Sequence, residues 1–482
     1  MTLRVLSVAS EAAPLVKTGG LADVAGALPR AVAPHGVSMT TLVPGYPSVI
    51  RALRRPREIH RWDSLLGEAA SLLSAKVDDQ PWLILDAPGY FKRGGGPYSD
   101  PSGKDWIDNW RRFAALARAA ADLAGGAAKL DRFDLLHAHD WQAGLAPAYL
   151  RFAPFGGRSV PSVMTIHNMA FQGFFPESIF SNLKLPRSAW AIDGVESYGG
   201  VGVLKAGLQL ADLVTTVSPS YAAEIRSADF GMGLEGLVEA RGDRVVGILN
   251  GIDPATWNPE TDAALKASYS ARSVSARTAN KRALEAEFHL ARDDGPLFIV
   301  ISRLTWQKGM DVLPEVLDHL VGNGGRLALL GSGDQAIEDA LREGAARHPG
   351  RIGLRFGYDE ALSHRLQGGG DAILVPSRFE PCGLTQLYGL AYGCVPVVAR
   401  TGGLEDTIVD ANVAALAEGA ATGVQFSGVH YHGLAIAISR TVSLYRDRRT
   451  WRAIQRNGMK ADFSWTHSGK AYAEHYRRLA KQ

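Results

Sequence analysis

The chain has 482 residues, of which 46% are hydrophobic and 21% are charged, which is ordinary for a globular protein. This length exceeds what one hydrophobic core usually supports, so two domains are expected. The net charge of +3 is too small to indicate a nucleic-acid partner, and no run of 18 apolar residues indicates a membrane span. Only two cysteines, Cys382 and Cys394, are present, which is typical of a reducing compartment. We therefore expect a cytoplasmic protein.

Short apolar runs alternate with helical patterns along the chain. In the first half, strands are predicted at residues 3–10, 38–44, 81–88, 133–140, 162–168, 212–219 and 244–251. The pattern starts afresh near residue 297, with strands predicted at 297–303, 326–331, 352–357, 372–377 and 395–400. Nearly continuous apolar strands separated by helices indicate parallel sheets that are covered on both faces. The sequence therefore predicts an α/β fold with two doubly wound domains.

The boundary between the two domains is predicted from a change in composition. Residues 250–281 are rich in Pro, Asn and Ser and lack apolar periodicity, which indicates a crossing segment. We place the first domain at 1–255 and the second at 256–460. Residues 461–482 predict a terminal helix, an element that often packs back on the first domain of such folds. The basic stretch 51–61 is interpreted as a solvated surface.

In open α/β sheets ligands bind outside the carboxyl ends of the strands. The first strand is followed by Lys17, Gly19, Gly20 and Asp23, at the point where a helix begins. The spacing matches neither G-x-x-x-x-G-K-[ST] nor G-x-G-x-x-G. Paired glycines let a ligand approach the backbone N–H groups, and a lysine can reach a phosphate. A glycine turn beside a solvated lysine is the alternative.

The segment HAHDWQ ends another predicted strand. His137 and His139 are two residues apart, which is a weak indication of a metal pair. We favour the interpretation that the strand ends here and that Asp140 and Gln142 face a cleft. Carboxylates and amides at a cleft edge suit sugar hydroxyls, which need both donors and acceptors.

His167 and Asn168 follow the next strand, at the equivalent corner of the sheet. A lone histidine is more often a structural residue than a catalytic one. Its position beside a second polar group at a strand end favours a functional role here.

The second half carries a clearer set of charged strand ends. Arg303 and Lys308 follow its first strand, and two cations at such a corner can bind a diphosphate. Glu380 follows a later strand, and residues 383–385 open a helix whose N–H groups can face a phosphate. Cys382 lies beside Glu380, but no local motif indicates a thiol nucleophile.

Taken together and in order, these motifs resemble those of bacterial glycogen synthases and plant starch synthases. The matching segments are KTGGLADV (17–24), HAHDWQ (137–142), TIHN (165–168), NGID (250–253), SRLTWQKG (302–309) and PSRFEPCGLTQLYG (376–389). The resemblance implies a GT-B architecture, with two Rossmann-like domains facing across a cleft. It also implies transfer of glucose from ADP-glucose to the non-reducing end of an α-1,4-glucan such as glycogen, with retention of the anomeric configuration.

The resemblance also implies roles for individual residues. Catalytic roles fall to Glu380, Arg303, Lys308 and His167. Donor contacts fall to Lys17, Gly19, Gly20, Asp23, Asn250, Cys382, Gly383, Leu384, Thr385 and Tyr388. Sugar and acceptor contacts fall to Asp140, Asn168, Gln142 and Tyr98. Many nucleotide-sugar enzymes carry a second glutamate where this chain has Tyr388, so ribose recognition is left open.

The chemistry implied by these residues needs no cofactor. No Asp-x-Asp or acidic cluster stands at a strand end, so we expect protein cations to replace a metal. No motif indicates a lysine bound to pyridoxal phosphate, which a glucan phosphorylase would need. No carboxylate stands out as a nucleophile, which favours attack on the same face as the leaving group. The main alternative is another GT-B transferase that uses UDP-glucose, such as a sucrose synthase; an oxidoreductase and a silent glycan-binding module are weaker ones.

Overall fold

The computed structural model describes residues 2–481, which divide into two compact units. The first unit contains the chain up to Asn250 together with the chain from Trp465 onward, and the second contains Gly251–Ser464. The sequence placed the corresponding boundaries at 255 and 460. No helix among the described residues has the length and hydropathy that crossing a bilayer requires.

The first unit is built on a nine-stranded sheet with a separate small sheet of three strands. Its strands are β1 (Leu3–Val8), β2 (Val37–Pro44), β3 (Arg57–Leu65), β4 (Glu68–Val77), β5 (Gln80–Asp86), β6 (Leu135–His139), β7 (Ser162–Ile166), β8 (Phe174–Pro176), β9 (Glu196–Ser197), β10 (Gly200–Gly202), β11 (Leu213–Thr216) and β12 (Val245–Gly247).

The large sheet has the order β12-β11-β7-β6-β1-β2-β5-β4-β3. Its strands pair in parallel except for β3 and β4, which pair antiparallel at one edge. The chain builds β2 and β5 on one side of β1 and then crosses to β6 on the other side. The carboxyl ends of β1 and β6 therefore form the topological switch point of this sheet, the place where open α/β sheets bind ligands.

Helices cover both faces of this sheet. They span Gly20–Val32, Pro47–Ala52, Pro88–Phe91, Asn109–Gly125, Asp140–Ala143, Ala146–Phe152, Val203–Leu210, Pro219–Glu224, Ala228–Gly231, Glu235–Ala240 and Trp465–Leu479. The C-terminal helix Trp465–Leu479 packs against Gly20–Val32. Its buried Tyr472 and Tyr476 join a core cluster with Val5 of β1.

The second unit contains a six-stranded parallel sheet with the order β15-β14-β13-β16-β17-β18. Its strands are β13 (Leu297–Leu304), β14 (Arg326–Gly333), β15 (Ile352–Phe356), β16 (Ala372–Val375), β17 (Val395–Ala399) and β18 (Val424–Phe426). Counted within the unit, this is the 3-2-1-4-5-6 order of doubly wound nucleotide-binding sheets. Its switch point lies between β13 and β16.

The helices of the second unit span Arg277–Glu287, Leu313–Gly322, Gln335–Arg347, Glu360–Gly369, Thr385–Tyr392, Gly402–Thr407, Val413–Ala417, Tyr431–Arg446 and Arg448–Lys460. Their apolar faces form clusters on both sides of the sheet. Cys394 is fully buried among the residues under β13 and β16.

Every strand predicted from the sequence is present, and the prediction of two doubly wound α/β units is confirmed. The hairpin β3–β4 was not predicted, because the basic stretch 51–61 was interpreted only as a solvated surface. Strand β3 begins inside that stretch, and most of its residues are exposed. Charged residues on an edge strand are a common protection against unwanted strand pairing.

The close approach of the C-terminal helix generates a stability prediction. A Cβ added at buried Gly469 would collide with the carbonyl oxygen of Ala31 on the facing helix. We expect Gly469→Ala to lower the free energy of unfolding by about 1–3 kcal/mol, because the two helices must separate. Chemical denaturation checks this.

Gly236→Ala is the matched control, since no described atom outside its own helical turn lies within 4 Å of a Cβ there. This substitution should leave stability unchanged or raise it by about 0.4–1 kcal/mol. Equal losses in the two variants would contradict the packing explanation.

Candidate active site

A buried carboxylate organises the loop that follows β1. Glu11 is 3% exposed and accepts hydrogen bonds from the backbone N–H and the hydroxyl of Thr18, the latter at 2.8 Å. It also accepts one from the Tyr98 hydroxyl at 2.9 Å. Burial raises the pKa of Glu11, although these hydrogen bonds oppose the shift. The sequence reasoning did not single out Glu11; the only signal was an acidic residue within a mostly apolar segment.

The lysine and glycines of this loop lie at the start of helix Gly20–Val32. Lys17 Nζ is 2.8 Å from Asp23 Oδ1, and both side chains are partly exposed. Gly19 and Gly20 are exposed, and no described atom lies within 4 Å of a Cβ added at either. Gly19 is extended, with φ of −162°. Neither backbone conformation nor packing within the described chain therefore requires glycine here, which leaves room for a ligand against the backbone.

Asp140 lies at the other side of the first switch point, directly after β6. Its φ is 53°, a left-handed conformation that is uncommon for aspartate and often found at functional sites. Its Oδ1 accepts the backbone N–H of His167 at 2.7 Å, and the N–H of Asn168 also interacts with the carboxylate. Burial raises the pKa of Asp140 to about 7.

Asp140 and Gln142, which the sequence predicts to face a cleft, lie in the short helix that follows β6. Each is only 8% exposed, and the left-handed backbone of Asp140 directs its carboxylate to the chain at His167. Asn168 is half-buried, and its Oδ1 accepts the N–H of Ala170 at 2.9 Å.

Two residues that are predicted to contact a ligand have buried side-chain oxygen atoms that can accept hydrogen bonds. The Oε1 atom of Gln142 and the Oδ1 atom of Asn250 have no hydrogen-bond partner among residues 2–481. Buried polar atoms are nearly always paired, so unpaired acceptors mark places where donors from a ligand or water would bind.

A chain of buried hydrogen bonds supports His167. Its Nε2 lies 3.1 Å from Nδ1 of His139, whose Nε2 lies 3.2 Å from the Ser7 hydroxyl. His137 stacks against His139, and its Nδ1 lies 2.7 Å from the hydroxyl of Tyr476 on the C-terminal helix.

Burial keeps these imidazoles neutral. It lowers the pKa of His139 to about 3, and it lowers the pKa of His137 and His167 well below the usual range. Within residues 2–481, no three His, Cys, Asp or Glu side chains form a group that could hold a metal ion.

The second switch point brings Lys308 and Glu380 together. Lys308 Nζ is 2.5 Å from Glu380 Oε2, which also accepts the Ser377 hydroxyl at 2.9 Å. Both members of the ion pair are largely buried.

The two loops that carry this pair are held against each other. Gly309 has a φ of 66°, and a Cβ there would collide with the carbonyl oxygen of Pro376. The Arg378 guanidinium binds both carboxylate oxygens of Asp311, at 2.6 and 2.8 Å. A left-handed glycine and a bidentate ion pair therefore fix the distance between Lys308 and Glu380.

Arg303 lies at the exposed end of β13. Its guanidinium has no hydrogen-bond or ion-pair partner in the part of the chain that the structure describes, unlike the paired Lys308 nearby in sequence. An exposed arginine at a switch point, without a protein partner, is suited to bind an anion.

The predicted donor contacts at 382–385 form the turn into helix Thr385–Tyr392. Leu384 precedes the helix without a side-chain cap, and Gly383 has a φ of 72°. The N–H groups of the first turn are therefore not capped by the Leu384 side chain. Cys382 is buried, and its backbone packs so closely on Gly403 that a Cβ at Gly403 would collide with it.

Tyr388 takes part in a stack of three rings. The ring centroids of Tyr388 and Trp257 are 3.6 Å apart, with an interplanar angle of 11°. The ring centroids of Trp257 and His364 are 3.9 Å apart, with an interplanar angle of 12°. The residue that replaces the second glutamate of other nucleotide-sugar enzymes is thus engaged with an aromatic partner. Trp257, in the crossing segment, was not recognised as part of the site.

Comparison with known proteins agrees with this geometry. The family model "Starch synthase catalytic domain" matches residues 4–240, and "Glycosyl transferases group 1" matches residues 281–450. The glycogen synthase of Novosphingobium aromaticivorans is 70% identical over 99% of both chains, and that of Mesorhizobium japonicum is 56% identical over 99% of both.

Two solved structures share the fold over nearly the whole chain. The catalytic domain of starch synthase IV from Arabidopsis thaliana, bound to ADP and acarbose, has a TM-score of 0.89, 30% identity and full coverage of both chains. Sucrose-phosphate synthase from Thermosynechococcus elongatus has a TM-score of 0.60, 17% identity and 99% coverage of both, which shows the fold alone.

Two Rossmann-like units with these family matches define a glycosyltransferase of GT-B architecture, as the sequence predicted. Within that class, the chain belongs to the glycogen synthase family, which confirms the resemblance seen in its motifs.

The raised pKa of Asp140 generates a prediction on stability. The pKa of the Asp140 carboxyl is raised to about 7 in the folded chain, so its protonated form stabilises the fold. This contribution to the free energy of unfolding is fully present below the ordinary aspartate pKa and is lost as the pH rises through about 7. Asp140→Asn keeps an acceptor for the His167 N–H and removes the ionisation. We expect the wild type to lose about 1–4 kcal/mol relative to the variant between pH 4 and pH 8.

Urea denaturation at several pH values between 4 and 8 checks this. Taking the difference between the two proteins cancels the titration of Glu11 and other shared groups. Parallel pH profiles would contradict the raised pKa.

Proposed function

We propose that this chain transfers glucose from ADP-glucose to the non-reducing end of an α-1,4-glucan such as glycogen, with the anomeric configuration retained. The observation that carries the proposal is the unpaired Arg303 guanidinium at the switch point that also holds the Lys308–Glu380 pair. The family membership and the ADP in the starch synthase IV structure support the nucleotide sugar. They favour ADP-glucose over the UDP-glucose alternative.

Charge separation is the main problem of this reaction. Breaking the bond between sugar and phosphate builds negative charge on the leaving diphosphate. Arg303, Lys308 and the N–H groups that open helix Thr385–Tyr392 supply positive charge where that charge develops. Lys17, with the N–H groups at Gly19 and Gly20, offers a similar set in the first unit.

Glu380 is suited to bind the transferred glucose. Its Oε2 is engaged by Lys308 and Ser377, which leaves Oε1 to accept a sugar hydroxyl. The adjacent ammonium holds this carboxylate in place, because a charge-assisted hydrogen bond is short and strong.

We propose that transfer proceeds without a metal ion and by attack on the face that the leaving group departs from. The cations described above can take the electrostatic role that a metal ion would have at the diphosphate. A double displacement would need a carboxylate free to attack. Glu11 is buried under its three hydrogen bonds, and Asp140 is buried against the backbone of His167.

The first prediction of this proposal concerns Arg303. Arg303→Ala should lower kcat/KM for ADP-glucose by about 10²–10³, because one preorganised donor to the leaving group is lost. The assay measures ADP release with glycogen as acceptor, with and without EDTA and beside UDP-glucose.

Arg342→Ala is the control: Arg342 forms ion pairs with Glu338 and Asp339 on its own helix and a cation–π contact with Phe356, and its removal should not affect turnover. Loss of activity in EDTA would contradict metal independence. Turnover with UDP-glucose but not with ADP-glucose would contradict the donor assignment.

A second prediction concerns the glycine loop. Gly19→Ala should leave the unfolding midpoint unchanged, because no described atom lies near the added methyl group. The same change should raise the KM for ADP-glucose at least about tenfold, since it blocks approach of the diphosphate to the backbone.

Gly26→Ala, in the helix that follows Gly19, is the opposite case, because its Cβ would collide with the backbone of Ala13. We expect it to lower stability. A Gly19→Ala variant with unchanged kinetics would mean that the loop does not contact the donor.

A further inference from the structure

One carboxylate contacts both the donor loop of the proposed function and the segment that carries Tyr98, for which the family resemblance implies an acceptor contact. Glu11 Oε1 accepts the Thr18 hydroxyl at 2.8 Å and the Tyr98 hydroxyl at 2.9 Å. Its Oε2 accepts the backbone N–H of Thr18. Thr18 lies between Lys17 and Gly19 in the donor loop, whereas Tyr98 is the residue predicted on the acceptor side.

Tyr98 is held at both ends. Its hydroxyl also lies 2.9 Å from the Ser10 hydroxyl, directly before Glu11. Its carbonyl oxygen accepts hydrogen bonds from the side-chain amide of Asn109 at 2.8 Å and from the backbone N–H of Trp106 at 3.1 Å. A change in the position of the Tyr98 segment is therefore passed to Glu11 rather than absorbed by a loose side chain.

Glu11 needs the hydrogen-bond donors of both loops. It is buried, so losing a donor leaves part of a carboxylate unsatisfied in a medium of low dielectric constant. The Thr18 backbone and the Tyr98 hydroxyl share the same acceptor group, so the position of each depends on the other.

We propose that Glu11 is a positioning residue that couples the glucan acceptor site to the ADP-glucose site through Tyr98 and Thr18. An acceptor that orders Tyr98 also orders Glu11 and the donor loop, so it raises affinity for the nucleotide. By linkage, a nucleotide bound at the donor loop raises affinity for the acceptor by the same factor. The inference rests on the proposed function, because it takes the donor loop from it, together with the acceptor-side position of Tyr98 that the family resemblance implies.

The test measures binding of ADP alone, by calorimetry on the full chain without glucan. Tyr98→Phe removes one hydroxyl on the acceptor side and Thr18→Val removes one in the donor loop. Each should raise the Kd for ADP about five- to tenfold, because each removes a hydrogen bond to a charged group. The double variant should raise it by clearly less than the product of the two, since both act through one carboxylate. Thr18→Ser keeps the hydroxyl and should restore the Kd.

Tyr149→Phe is the matched control. Its hydroxyl is also buried and donates to the Leu183 carbonyl at 2.8 Å, so the chemical change is the same. This variant should bind ADP like the wild type. Glu11→Gln removes the charge itself and should weaken ADP binding at least as much as either partner variant; the two partner variants carry the test if it does not fold.

The outcomes separate this inference from the proposed function. If Tyr98→Phe raises only the KM for glucan and leaves the Kd for ADP within twofold of the wild type, the coupling through Glu11 is wrong while the function stands. If the effects of Tyr98→Phe and Thr18→Val multiply fully in the double variant, the shared carboxylate is likewise wrong. If the wild type neither binds ADP nor turns over ADP-glucose, the proposed function itself fails.

Discussion

The reversal of strand order beside β1 and beside β13 is the constraint on which the rest of the structure depends. Parallel strands are joined by right-handed crossovers, so a chain that builds on both sides of its first strand must send its loops apart there. The strand ends and helix starts at that point are left uncovered, with their N–H groups and side chains available. Glu11 and Asp140 flank the first reversal, and Lys308 and Glu380 flank the second. The candidate site residues therefore lie at the two switch points of the sheets.

Several polar side chains lie buried beside the first switch point, and each of them needs a hydrogen-bond partner. Ser7 and the three histidines at 137, 139 and 167 are all hydrogen bonded, and burial keeps the imidazoles neutral. The last contact comes from Tyr476, at the far end of the chain. The C-terminal helix therefore satisfies a buried ring nitrogen in addition to covering apolar surface, so its return to the first unit has a polar as well as an apolar cause.

The sequence predicted the parts of the fold whose signal is local. Central parallel strands are buried on both faces, so their continuous apolar runs were visible without tertiary information. Strand β3 was missed because it lies at an edge and most of its residues are exposed, which gives the same composition as a surface loop. Cations and glycines at strand ends were also visible, because those residue types have few structural reasons to follow a buried strand.

The unpredicted parts of the site are those that depend on long-range contacts. Glu11 is held by a hydrogen bond from Tyr98, which is 87 residues away in the sequence. Neither segment contains a local pattern that predicts this contact. Trp257 stands in a segment without periodicity and meets Tyr388 only after the second unit has folded. The burial of Asp140 could not be predicted either, because the left-handed conformation of its backbone determines the direction of the carboxylate. Local sequence favours that conformation only weakly.

The state of the carboxylates bears on the mechanism proposed above. A nucleophilic carboxylate must reach the anomeric carbon with an oxygen whose charge is not already satisfied. Glu11 and Asp140 are held by backbone and side-chain donors, and Glu380 shares its charge with Lys308 at 2.5 Å. The oxygen left on Glu380 is therefore a good acceptor for a hydroxyl and a poor nucleophile. The engagement of these three carboxylates in positioning is therefore the physical basis of the same-face attack proposed above, in which the departing phosphate oxygen would take the proton of the acceptor hydroxyl.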